Sequence, residues 1–305
     1  MDKPGAPPEA GVEDSEGPQR KKAKTENGQG SKQKTEVTEG IQNEKGESAE
    51  SGANATGKDE KVEGDGSTEG NSAAASKEPF ENMKIWDSSF LDSIPRSACL
   101  KCGQKRKFFC YDCFLPFGDL KKVPNLTLPM EVHIVHFPTE LKSKSTAVHA
   151  KILAPNSVSF HKYPSVPKFN AEDTVLLYPK NAQSLHDMDA SVFTKLKNVI
   201  FIDSQWHKGN KVLSHENLVN LPRVQIHQYK TAFWRYQQEG DHCLATIEAI
   251  YYFFVEYQKR AGADYDGRFD NLLFYYSHMF RLIQGVYKRD PSREFNRKKN
   301  YIQYD

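Results

Sequence analysis

No phenylalanine, tyrosine, tryptophan or leucine occurs before Phe80, so all 18 Phe, 14 Tyr and 3 Trp of this 305-residue chain lie beyond residue 79. Residues 1–79 are mostly Glu, Lys, Gly, Ser and Ala, with isolated aliphatics such as Val12, Val37, Ile41 and Val62. Such a segment cannot bury enough apolar surface to offset its ordering entropy, and it is expected to be a disordered polar tail. The charge divides at the same place. The tail holds 17 acidic and 11 basic side chains, a net of −6, whereas residues 80–305 hold 31 basic and 23 acidic, a net of +8. A basic folded part favours an anionic partner, most commonly nucleic acid, although ordinary surface charge can reach the same value. The tail has no apolar run, so neither a signal peptide nor a membrane span is expected. Arg20-Lys21-Lys22-Ala23-Lys24 reads either as a short nuclear-import signal, which places the protein in the nucleus, or as a chance cluster in a Lys/Glu-rich segment. No obligate protein partner is inferred.

Four cysteines mark where folded protein begins. Cys99 and Cys102, then Cys110 and Cys113, form two Cys-x-x-Cys pairs with the layout of a tetrahedral zinc knuckle. Two disulfides or four ordinary thiols are the alternatives, and the lack of a secretory signal favours zinc. With four protein ligands such a metal is structural. Residues 80–122 are read as this knuckle and its flanks, with Phe108, Phe109, Tyr111, Phe114 and Phe117 docking it. Lys105, Arg106 and Lys107 in the knuckle and Arg235 beside Trp234 are candidate RNA contacts, each equally able to be a solvated charge.

Residues 123–290 alternate between short apolar runs and helical patterns. Strands are expected over 131–137, 173–178, 198–203 and 224–229, a short helix or extended piece over 145–153, and a helix over 186–196. Long helices are expected over 241–260 and 270–288. This is an α/β domain with a mainly parallel sheet, followed by a basic tail over 291–305. Neither a Gly-x-Gly-x-x-Gly nor a P-loop occurs.

In open α/β sheets ligands sit beyond the carboxyl ends of the strands. Three ends carry unusual chemistry: His136-Phe137-Pro138-Thr139-Glu140, Leu177-Tyr178-Pro179, and Asp203-Ser204-Gln205-Trp206. Asp203 offers a base or an amine-binding carboxylate, and a strand-terminal Asp can also be a helix cap. Trp206 offers a stacking plane or a core anchor. His136 can be a satisfied loop histidine, Glu140 a helix-start carboxylate, and Glu248 the exposed edge of a helix. Cys243 is read as a structural thiol.

These ends, the paired cysteines and Leu244-Ala245-Thr246-Ile247-Glu248-Ala249, taken in order, resemble the DTW-domain tRNA-uridine aminocarboxypropyltransferases, and in particular their eukaryotic nuclear branch. The resemblance covers nearly all of the folded part. Gln205 stands where the family usually has Thr, which leaves the role of that side chain open. The resemblance implies a knotted fold akin to the SPOUT methyltransferases and S-adenosylmethionine as co-substrate. It implies transfer of the 3-amino-3-carboxypropyl group to N3 of a tRNA uridine, in the D-loop near position 20, with release of methylthioadenosine. It further implies Asp203 as general base for the N3 proton. His136, Pro138, Glu140, Leu177, Tyr178, Pro179, Ser204, Gln205, Trp206, Thr246 and Glu248 become cofactor-binding candidates. A zinc-containing RNA-binding protein without turnover, or a SPOUT-type RNA methyltransferase, are the other readings the sequence allows.

Overall fold

The computed structural model describes residues 78–234, 240 and 242–290. The basic cluster at Arg20 to Lys24, nearly all of the tail, Arg235 and the segment 291–305 lie outside the described residues. Two small antiparallel hairpins come first, β1 (Ser97–Ala98) with β2 (Lys105–Arg106) and β3 (Phe109–Cys110) with β4 (Leu115–Pro116). The main domain follows as β5 (Glu131–His136), α1 (Ala147–Leu153), β6 (Val158–Lys162), β7 (Thr174–Leu177), β8 (Gln183–Ser184) and α2 (Ala190–Phe193). It continues through β9 (Asn198–Asp203), α3 (Gly209–Leu213), β10 (Arg223–Gln225), α4 (Thr246–Arg260) and α5 (Phe274–Arg289).

Strands β5 to β10 form one sheet in the order β6-β5-β9-β7-β10-β8, and every pairing in it is parallel. A parallel sheet covered on both faces needs apolar residues on both, which is why β9 reads as the near-continuous run Val199-Ile200-Phe201-Ile202. The two-residue period sorts them. Val199 and Phe201 join Val132, Ile134 and Val175 under α4, while Ile200 joins Val135, Leu176 and Val212 on the other face, under α3.

The expected strands at 131–137, 173–178 and 198–203 are present within a residue at each end. The fourth is shorter than 224–229, because β10 finds partners only at Val224 against Leu177 and Gln183 and at its immediate neighbours. Two edge strands were missed: β6, Val158–Lys162, has only two apolar residues, and β8 is two polar residues. The helix expected over 186–196 is a single turn, begun by the Asp189 side chain accepting from Ser191 N at 2.8 Å. The helix expected from 241 starts at Thr246, after Ala245 in extended conformation.

The knuckle does not stand apart. Phe109 packs edge-on against Tyr275 of α5, with centroids 4.8 Å apart, and shares a buried cluster with Leu91, Val148, Leu153 and Phe274. Phe108, Tyr111 and Phe114 line the rim of the same cluster, as expected of docking residues. The preceding segment is pinned by buried Asp270, whose carboxylate accepts from Lys84 N, Tyr251 and Tyr265 at 2.6, 3.1 and 2.6 Å.

Candidate active site

Beyond the carboxyl ends of β7, β9 and β10 lies a cleft of about 620 Å³. Leu177, Tyr178 and Pro179 form the wall that follows β7, and Ser204 and Trp206 the wall that follows β9. Thr246 closes it from the start of α4. Six of the eleven cofactor-binding candidates therefore meet in one space. Gln205 is exposed and stands at the start of the 3-10 turn Trp206–Lys208, without a capping bond from its side chain, and the turn leads straight into α3. That turn brings Trp206 to the surface at 39% exposure, so it is not a core anchor.

Asp203 stands behind this wall. It is 3% exposed, and three side chains converge on its carboxylate. His136 Nδ1 and the Ser145 hydroxyl donate to Oδ2 at 2.6 and 2.8 Å, and the Thr246 hydroxyl donates to Oδ1 at 2.9 Å. The carboxylate thus ties together the end of β5, the loop before α1 and the start of α4. His136, 4% exposed, is part of this network behind the cleft wall.

The loop after β5 is held beside the Trp206–Lys208 turn. Glu140 N donates to Phe137 O at 2.9 Å, and Lys208 Nζ donates to the Thr139 hydroxyl at 2.8 Å while lying over the Phe137 ring. Pro138 is exposed and Glu140 half-buried in this loop, and neither reaches the cleft wall. Glu248 is directed elsewhere. Its Oε1 accepts from Ala232 N at 2.8 Å and its Oε2 from the Thr231 hydroxyl at 2.6 Å and Ala245 N at 2.8 Å. Burial raises its pKa, against the pull of those hydrogen bonds. Glu248 staples the 231–232 segment onto the first turn of α4.

Several cleft residues were not among the candidates the sequence offered for the site. Gln225, Ile226, His227 and Gln228 line the wall after β10, and His242, Cys243 and Leu244 the approach to α4. The strand-end rule finds the first group once β10 is known to stop at Gln225. Gly209 is a second miss. A Cβ there would stand 2.7 Å from the Tyr178 hydroxyl and 3.1 Å from a ring carbon, so Gly209 is what lets the Tyr178 ring lie against α3.

In the knuckle the four sulfurs of Cys99, Cys102, Cys110 and Cys113 lie within 4.8 Å of one another, none in a disulfide. Cys102 and Cys110 Sγ are 3.6 Å apart. Zinc thiolates at ~2.3 Å in a tetrahedron stand roughly 3.8 Å apart, so the set could hold that ion. The residue after each second cysteine, Gly103 at φ 72° and Phe114 at φ 56°, turns into the left-handed region, which closes both Cys-x-x-Cys loops alike. Of the basic candidates, Lys105 is exposed. Lys107 lies over the Phe108 ring, and Arg106 sits 4.1 Å over the Tyr111 ring and pairs with Asp112 at 2.9 Å.

An all-parallel sheet with a ligand-sized cleft beyond its central strands defines an α/β ligand-binding protein. The sequence pattern of the DTW domain matches residues 107–284. Mouse (Mus musculus) tRNA-uridine aminocarboxypropyltransferase 1 is 35% identical over 262 residues, 70% of this chain and 86% of that protein. The Xenopus laevis protein of that name is 33% identical over 264 residues, 71% of this chain and 91% of its own length. The chain belongs to the DTW-domain family, as its strand-end motifs indicated. Among solved structures, the SAM-dependent rRNA:acp-transferase Tsr3 from Vulcanisaeta distributa aligns with 54% of this chain and 94% of its own, at 16% identity and a TM-score of 0.33. A likeness that distant leaves the chemistry to be argued from this chain's own residues.

Proposed function

We propose that this chain is a tRNA-uridine aminocarboxypropyltransferase, transferring the 3-amino-3-carboxypropyl group of S-adenosylmethionine to N3 of a D-loop uridine and releasing methylthioadenosine. The observation that carries the proposal is the meeting of Leu177, Tyr178, Pro179, Ser204, Trp206 and Thr246 around one cleft, in a family whose relatives bear that name. S-adenosylmethionine supplies a carbon already activated by its sulfonium, so the protein's work is orientation and removal of the uridine N3 proton. Leu177, Tyr178 and Pro179 give the apolar wall for the adenosine, and Trp206 the exposed plane on which a ring can stack.

Asp203 is the proton acceptor in this reading, reached through Thr246. Thr246 lines the cleft, and its hydroxyl already donates to Asp203 Oδ1 at 2.9 Å. As it takes the N3 proton on its lone pair, it passes its own to Asp203. The net charge of +8 over residues 80–305 suits a tRNA partner, and among the described residues no helix is long and apolar enough to cross a membrane.

Three finer readings belong to the same proposal. The four cysteines hold structural zinc. The connections around β9 form the knot, a reading supported by the entry of β9 between β5 and β7, both earlier in the chain. The cluster from Arg20 to Lys24 directs the protein to the nucleus, which a reporter fused to residues 1–79 would test by its distribution.

The test of the reaction is incubation of the full-length protein with unmodified tRNA and S-adenosylmethionine, followed by mass spectrometry of nucleosides and small molecules. Methylthioadenosine with an aminocarboxypropyl-uridine is expected. S-adenosylhomocysteine would make it a methyltransferase. Bound tRNA with no product would make it an RNA-binding protein, with Gln205 the first residue to revert to Thr.

A further inference from the structure

On the far side of the cleft wall, three elements bring ligand-type side chains to one point. His186 follows β8, His227 follows β10, and Glu256 projects from α4. One ligand atom from each of the three lies within 4.8 Å of the other two. Glu256 Oε1 accepts from His227 Nδ1 at 2.9 Å, and His186 Nε2 stands 3.5 Å from Oε2. The imidazole centroids are 4.9 Å apart.

Glu256 is the anomaly. Its side chain is 1% exposed, and among the described residues its Oε2 has no hydrogen-bond donor and its ion-pair partners are these two histidines. A carboxylate is costly to bury without a cation. One support is already in place: His227 N donates to Oε1 at 2.7 Å and fixes the carboxylate's orientation.

We infer that His186, His227 and Glu256 form a binding site for a divalent transition ion of the zinc class. Imidazole and carboxylate ligands at about 2.0–2.2 Å from zinc in a tetrahedron lie roughly 3.4 Å apart; here His227 Nδ1 is 2.9 Å from one oxygen of the Glu256 carboxylate and His186 Nε2 3.5 Å from the other. Binding displaces the proton from His227 Nδ1 to solvent, and the ion takes its place between nitrogen and carboxylate. Three protein ligands leave a fourth position to water, and the His227 side chain, 64% exposed, leaves that position open. Because Gln225 to Gln228 line the cleft, the ion would fasten that wall to α4 and act as a positioning element. This site is separate from the four cysteines and assumes nothing about the reaction.

The experiment is equilibrium dialysis of the full-length protein against buffered free zinc, with bound metal counted by mass spectrometry and its ligands read by zinc-edge X-ray absorption. His186→Ala is the mild variant, since that side chain is partly exposed, and Glu256→Gln keeps the shape of the buried one. Wild-type protein is expected to hold one zinc more than either variant. Its spectrum should show an imidazole and oxygen component that both variants lose while the sulfur component stays. Equal zinc counts in all three proteins, or a wild-type spectrum with sulfur ligands alone, would overturn the site whether or not the protein transfers any group.

Discussion

His136 and Asp203 face each other in register at the carboxyl ends of β5 and β9, and His136 Nδ1 donates to Asp203 Oδ2 at 2.6 Å. The pairing is a product of sheet geometry. Parallel register puts the last residues of adjacent strands side by side, and both side chains turn inward, to 4% and 3% exposure. Ser145 and Thr246 then complete the shell around the carboxylate.

Asp203→Asn puts an amide donor where an oxygen now accepts, so at least one of His136, Ser145 and Thr246 loses its acceptor. As proton acceptor, Asp203 should be worth about 100-fold or more in transfer rate. We expect single-turnover transfer to fall by that much while tRNA binding by filter assay changes little. An unchanged rate would remove Asp203 from the proton path.

Thr246 separates a relay from a mere wall. Thr246→Val keeps the volume and loses the hydroxyl, whereas Thr246→Ser keeps the hydroxyl and loses a methyl. Turnover should fall at least about tenfold in the valine variant and recover most of the way in the serine variant, with little change in KM. Two variants equally active, or equally impaired, would make the Thr246 bond to Asp203 structural only.

Gly209→Ala tests the cleft wall while leaving every polar side chain of the site in place. The new methyl would meet the Tyr178 hydroxyl at 2.7 Å and ring carbons at 3.1 and 3.2 Å, pushing the ring off α3 towards the cleft. Overpacking of this kind costs about 1–3 kcal/mol. Calorimetric titration should show S-adenosylmethionine binding weakened several-fold, with the fold retained by circular dichroism. Undiminished affinity would move the ligand away from Tyr178.

Much of this arrangement was legible in the sequence because its information is local. The runs ending at His136, Leu177 and Asp203 announce strands, and ligand chemistry at strand ends follows from the fold class. What escaped is non-local. Glu248 belongs to a motif, yet it bonds Ala232 N and Thr231 from a segment sixteen residues earlier, a contact no spacing reveals. The exposed face of α4 could not be told from its buried one, because α4 is wrapped by β9, α1 and the turn Asp270–Leu273 and buries Glu256 and Gln258 with its aromatics. Gly209 has no local signal, because its role exists only once Tyr178 is placed against it.

Removing metal from the knuckle should loosen more than the knuckle. Phe109, between Ala98 and the second cysteine pair, is buried against Tyr275 and His149. Chelation, or Cys110→Ser, should therefore release a zinc held by sulfur and lower the melting temperature of the whole domain by several degrees. An unchanged melting temperature, with no sulfur-bound metal in the untreated protein, would leave the four cysteines as ordinary thiols.

His149 sets an acid limit on the same cluster. It is 2% exposed, its Nδ1 has no hydrogen-bond partner among the described residues, and burial pushes its pKa down to about 3. The unfolded imidazole takes a proton near pH 6.5, but the folded one does so only near 3. Between those values the unfolded state binds more protons, so stability falls as pH falls through the window, at about 1.4 kcal/mol per unit. His149→Phe keeps an aromatic ring between Phe109 and Tyr275 and has nothing to protonate. Urea midpoints measured at about pH 7 and about pH 5.5 should drop further for the wild type than for the variant, by the equivalent of roughly 1 kcal/mol. Equal drops would mean that His149 takes up its proton without unfolding, and that the cluster around Phe109 is open to water.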